Sequence, residues 1–120
     1  MERTYQAEEL KKRSKQFALR VVKLFQALPR TYLARVLGRQ LLRSATSVAA
    51  NYRAVCRARS KAEFISKIGV VVEEIDESVF WLEFLVDAGI IAQSRMESLL
   101  KEATELLAIF AASQHTARNR

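Results

Sequence analysis

Between residues 10 and 28 the apolar side chains Leu10, Phe17, Val21, Leu24, Phe25 and Leu28 fall on one side of a helical wheel, together with Ser14. That spacing predicts an amphipathic helix over about residues 5–28. Pro29 closes it, because proline supplies no amide donor and biases its predecessor away from helical dihedrals. Thr31 is placed to cap a second helix over about 32–57, whose apolar side is Leu33, Leu37, Leu41, Val48, Tyr52 and Val55. Ser60 and Glu63 form a capping box that opens a third helix over about 61–88. Its inward positions are Phe64, Ile68, Val71, Val72, Ile75, Val79, Leu82 and Val86. Gly89 then offers a left-handed C-terminal cap, with Ile90 or Ile91 as the apolar contact that accompanies it. Ser94 and Glu97 make a second capping box, predicting a fourth helix over about 95–113 with Met96, Leu99, Leu100, Ala103, Leu106, Leu107 and Phe110 inward. The polar stretch 114–120 is expected to be a frayed tail.

Four amphipathic helices with connections of a few residues predict an all-α fold, an antiparallel up-down-up-down four-helix bundle, as one domain over 1–120. The 120 residues, half of them hydrophobic, suffice for one independent core, and three glycines and one proline leave little material for a turn-rich β fold. Each fully buried Leu, Ile, Val or Phe contributes about 1.5 to 3 kcal/mol. No repeat, linker or low-complexity segment interrupts the pattern. A lone cysteine, Cys56, excludes an intrachain disulfide, and no apolar run approaches the ~18 residues of a membrane span, so a cytoplasmic protein is expected.

Charge divides the chain. No acid occurs between Glu9 and Glu63, an interval with fourteen Lys and Arg, whereas Glu63 to Glu105 holds ten acids against Lys67, Arg95 and Lys101. On the second helix Arg35, Arg39, Arg43, Arg53 and Arg57 fall within an arc of about 80°, a stripe about 33 Å long. Arg59 and Lys61 extend it into the turn. Such a row suits neutralisation of a nucleic-acid backbone, which is salt-dependent and indifferent to sequence. It suits equally a solvated face, or pairing with the acidic side of the third helix within the bundle or between subunits. No helix-turn-helix glycine, zinc-finger spacing or aromatic strand motif points to base reading.

A flank of Gln40, Ser44, Ser47 and Asn51 on the second helix provides small polar groups for close helix contact. An active serine needs an adjacent base, and the single histidine, His115, lies in the expected tail, so no enzyme is predicted. The pairs Glu73/Glu77 and Glu74/Glu77 lack the Glu-x-x-His motifs of a di-metal bundle, so neither metal nor cofactor is expected. Cys56 is expected to pack as a small hydrophobe; if exposed, Arg53, Arg57 and Arg59 would lower its pKa. The third helix has a second apolar face, Val70, Phe80, Trp81 and Phe84, mixed with Glu74 and Glu77. One stripe per helix suffices for a bundle, so Phe80, Trp81, Phe84 and Glu77 are the candidate contacts of a homo-oligomer. Wrapping of an adjacent helix at the bundle edge is the other explanation.

The run QLLRSATSVAANYRAVCRARSKAEFISKIGVVVEEIDESVFWLEFLVDAGII resembles the bacterial four-helix-bundle family that includes proteins encoded in intervening sequences of large-subunit ribosomal RNA genes. The resemblance rests on Gln40, Leu41, Arg43, Ser44, Ser47, Asn51, Arg59, Ser60, Glu63, Phe64, Glu77, Trp81 and Leu82. It covers the second and third helices well and the outer two by pattern. It implies a pentameric ring and kinship with accessory variability proteins of diversity-generating retroelements, which bind nucleic acid and partner a reverse transcriptase through a basic surface. For most members the resemblance implies no assigned activity. Many relatives follow the asparagine with an Ile-Ala-Glu-Gly type sequence, where this chain has Tyr52, Arg53, Ala54 and Val55; an acid and a glycine are gone and a positive charge is added. The expectation is a non-enzymatic oligomeric bundle that binds RNA or DNA nonspecifically through the five arginines. The alternative is a structural or adaptor protein whose basic and acidic faces pair between subunits.

Overall fold

The computed structural model describes residues 2–120, with side chains from residue 5 onward. Four helices account for it: α1 (Glu2–Ala27), α2 (Tyr32–Val55), α3 (Lys61–Asp87) and α4 (Gln93–Arg118). Each packs against its sequence neighbours, and α1 meets α4 to close the ring, in a body of 46 × 21 × 21 Å. Arg20 on α1 reaches Ser98 on α4, while Arg13, further back on α1, reaches Glu102 and Glu105, further along α4. Such crossed progress marks an antiparallel pair. The predicted bundle is what the chain forms.

The buried positions follow one rule in every helix, alternating steps of three and four residues. In α1 they are Leu10, Ser14, Phe17 and Val21, and in α2 Ala34, Gly38, Leu41, Ala45, Val48, Tyr52 and Val55, with Ala18 and Ser44 also buried off those steps. In α3 they are Ile68, Val71, Ile75, Ser78, Leu82 and Leu85, and in α4 Met96, Leu99, Ala103, Leu106 and Phe110. This is the 3.5-residue repeat that keeps one seam facing its partners along the length of a coiled-coil-like bundle. It corrects the apolar faces expected for two helices. Leu33 is exposed and Leu37 half-buried on α2, because the seam there is made of the small Ala34, Gly38 and Ala45. A Cβ on Gly38 would stand 2.4 Å from Leu28 Cδ1 and 3.0 Å from Phe25 Cδ1, so its bare backbone lets α1 lie close. On α3 the seam takes Ser78 and Leu85, leaving Val79 and Val86 half-buried beside it.

The turns explain the helix ends. Thr31 Oγ1 accepts from Ala34 N at 3.2 Å and Ser60 Oγ from Glu63 N at 3.1 Å, each meeting an orphan amide. At the end of α3, Gly89 takes φ 74° and donates to Val86 O, while Ile90 N donates to Leu85 O, the paired bonds of a Schellman cap. Ile91 N also reaches Leu85 O and its side chain is buried, so the reversal is finished early. Consequently α4 starts at Gln93 from an Ala92 cap with no side-chain hydrogen bond, and Ser94 lies inside the helix instead of capping it. At its other end α4 stays helical to Arg118, through the stretch expected to fray, and Lys61 Nζ donates to the carbonyl of Arg120.

Candidate nucleic-acid interface

Of the five arginines expected on the second helix, Arg35, Arg39, Arg43 and Arg53 lie on α2, whereas Arg57 follows its end in the turn to α3, and they meet different surroundings. Arg35 is half-buried, its guanidinium carbon 4.7 Å from the centre of the Phe25 ring, a cation–π contact between α2 and α1. Arg39 is exposed. Arg43 pairs with Glu74 at 3.3 Å and with Glu77, both on α3. The hydrogen bond to Glu77 pushes its guanidinium further up from an already high pKa. Glu77 also accepts from Trp81 Nε1 at 3.3 Å, so one carboxylate ties together an expected binding residue and an expected interface residue. Among the described residues none of Arg39, Arg53, Arg57 and Arg59 makes an ion pair.

Arg53 and Arg57 line an open cleft of about 520 Å³ where α2 ends and α3 begins, with Ala50, Ala54, Arg59, Glu63 and Lys67. Positions 50, 53 and 54 share one face of α2 and Arg57 follows in the turn, so the lining on this side is two small alanines and two arginines. Across the turn, Glu63 meets Lys67 at 3.0 Å one helical turn along α3. That hydrogen bond holds the Glu63 carboxyl below the usual range. Lys67 was not a candidate in the sequence; its only signal was the four-residue step from Glu63.

The Gln/Ser/Asn flank separates in the same way. Gln40 is exposed. Ser44 is fully buried and lies 2.9 Å from Ser78 across the α2–α3 seam, and each hydroxyl also reaches a backbone carbonyl of its own helix, Leu41 O or Glu74 O, at 3.1 and 2.9 Å. Two hydroxyls carry two protons, so one hydroxyl donates across and the other donates to its own backbone. Asn51 Nδ2 donates to Ser47 O and Ser47 Oγ, both at 2.8 Å, within α2. No described buried side-chain polar atom lacks a partner. On the opposite side of the bundle Arg13 spans Glu102 at 2.7 Å and Glu105 at 3.1 Å, a link between α1 and α4 that periodicity did not reveal.

Phe80 and Phe84 are 51% and 40% exposed, and Val70 is exposed as well. Trp81 is half-buried against the core; it stands 4.9 Å from Phe80 and 5.8 Å from Phe84, ring centre to ring centre. Cys56, expected to be packed, is exposed, because α2 ends at Val55 and the chain has begun to turn. Partial burial pushes its thiol up, with Lys11 and the hydrogen bond to Tyr52 acting against that. The three arginines around it in sequence are not what governs it. Ser44 is sealed in the seam, and His115 is on exposed α4 surface beside Asn119. Among the described residues no group of three or more His, Cys, Asp or Glu is placed to hold a metal ion, and no helix is long and apolar enough to cross a membrane.

The fold makes the chain a small four-helix-bundle protein. The chain matches the 23S rRNA-intervening sequence protein family over residues 7–112 and belongs to it. A crystal structure from Bacteroides thetaiotaomicron, of a protein with unknown function from the S23 ribosomal protein family, shares 32% sequence identity and superposes with a TM-score of 0.84. The similarity covers 91% of this chain and 97% of that one. Nothing among curated proteins matches the chain.

Proposed function

We propose that this protein is a non-enzymatic, self-associating bundle that binds RNA or DNA without sequence preference through the basic face of α2. The observation that carries the reading is the set of exposed arginines, Arg39, Arg53 and Arg57, which make no ion pair among the described residues, whereas Arg43 of α2 meets two carboxylates. Arg35, on its aromatic stack, borders that surface. Arg43 is left out of it, since two carboxylates already meet its charge. A family named for an intervening sequence in 23S rRNA supports nucleic acid as the ligand class. The exposed Phe80 and Phe84, with Trp81 and Glu77 beside them, support association of copies, for which a ring of five is the proposed state.

Binding of a generic duplex and a generic single strand across a salt series tests the reading. Affinity at low salt that falls steeply as salt rises is expected, and replacing Arg39, Arg53 and Arg57 together by Gln should remove most of it. No binding at low salt would overturn it. The Arg43 pair with Glu74 and Glu77 favours a second reading, a structural protein whose opposite charges satisfy each other. In that case the triple variant loses nothing but net charge.

A further inference from the structure

The nucleic-acid reading spreads contact along α2; the geometry concentrates it. We infer that the cleft at the α2–α3 corner is the phosphate-binding site, taking two consecutive phosphates between Arg53, Arg57, Arg59 and Lys67, with Glu63 as an internal competitor for Lys67. The inference rests on the proposed function and deepens it. Three observations bear it. The cleft gathers four cations from two helices and a turn around one carboxylate. Its floor is Ala50 and Ala54, so nothing bulky stands between the arginines and an approaching backbone. Arg53 is in the last turn of α2, and Arg57, just past its end, donates its amide to Ala54 O at 3.0 Å, so the turn folds Arg57 back beside the end of the helix.

Elsewhere on the stripe these features are missing. Arg35 is engaged with Phe25 and Arg43 with Glu74 and Glu77, which leaves Arg39 as a single unpaired charge. The Glu63 carboxylate holds Lys67 at 3.0 Å. A phosphate entering the cleft offers Lys67 a second anionic partner, so the carboxylate opposes binding twice, by repulsion and by occupying the ammonium. Consecutive phosphates are the shared chemistry of a nucleic-acid strand and of a free polyphosphate, and the proposal commits to the strand.

The test uses the full-length protein, a labelled single-stranded oligonucleotide, and inorganic tripolyphosphate as the free alternative. Ala50 is exposed, so Ala50→Trp fills the floor without touching the core or any charge. Ala50→Trp and Arg57→Gln are each expected to weaken oligonucleotide binding about tenfold, and Arg57→Gln to lower the salt slope by about one. Arg30→Gln, an equal charge change in the α1–α2 turn, should alter affinity by less than about twofold. Glu63→Gln should tighten binding about threefold, and Glu97→Gln on α4, an equal charge change, should not.

If Ala50→Trp and Arg57→Gln bind as the parent does while Arg39→Gln weakens, the cleft is wrong and the broader reading stands. If the parent binds tripolyphosphate in a manner that Ala50→Trp blocks, yet binds no oligonucleotide, the cleft stands as a polyphosphate site and the nucleic-acid function falls. If it binds neither, both are overturned.

Discussion

Arg43 and Arg53 both lie on α2, within one arc of its surface, yet one is tied to two carboxylates of α3 and the other opens onto an uncovered cleft. Nothing on α2 distinguishes them. The difference comes from α3, which presents Glu74 and Glu77 at the level of Arg43 but Lys67 and an already engaged Glu63 at the cleft that Arg53 lines. A stripe of like charges on one helix is therefore not a surface; the antiparallel neighbour decides, turn by turn, which charges are left for a partner. The Arg43 pairs are half-exposed and belong to the class of surface bridges that contribute at most about 1 kcal/mol each. They set the binding surface more than they hold the fold.

The largest way to break the contrast is to remove what supports the free end. Tyr52 is buried next to Arg53 and its ring lies 5.0 Å from that of Phe110 on α4. Tyr52→Ala should cost about 3 to 5 kcal/mol in chemical denaturation. Conservative replacement sharpens the picture through pH. Burial pushes the Tyr52 phenol up from its ordinary 10.0. Above about pH 10 the unfolded chain releases this proton while the folded chain keeps it, so stability falls as pH rises, by up to about 1.4 kcal/mol per pH unit. Tyr52→Phe should remove that part of the alkaline loss, read as the difference between the two unfolding curves across pH 9 to 12.

Near the paired end, the seam itself is polar. Ser44→Ala and Ser78→Ala should each cost about 1 kcal/mol, and the double variant less than their sum, because the cross-seam bond is lost once. Strict additivity in that cycle would mean the two hydroxyls serve only their own backbone carbonyls, at 3.1 and 2.9 Å. The smallest effect belongs to Arg43 itself. Arg43→Gln should lower stability by less than about 1 kcal/mol at low salt, and the loss should shrink as salt rises.

These contrasts also mark what was legible in the sequence. The four helices, their antiparallel order and the Thr31, Ser60 and Gly89 ends follow from local chemistry, and local chemistry is written along the chain. The seam was misread wherever it is not made of large apolar residues. Ala34, Gly38 and Ala45 carry too little hydrophobic signal to outrank Leu33 and Leu37, and Ser78 is polar until Ser44 is opposite it. Ser94 looked like a cap because nothing local says that Ile90 and Ile91 complete the reversal before it. For the interface, periodicity put five arginines on one side of α2. It could not divide them, because Glu74, Glu77 and Lys67 reach them only through the register of α2 on α3. Cys56 failed for a related reason: its burial depended on whether α2 ended before or after it.

The central claim is that partnering by α3, and not position on α2, selects the arginines that bind. Its most direct measurement is the salt dependence of oligonucleotide affinity for Arg43→Gln beside Arg53→Gln, both on α2. A slope lowered by about one is expected for Arg53→Gln and a parental slope for Arg43→Gln. Equal slopes for the two variants, whether both lowered or both parental, would contradict it.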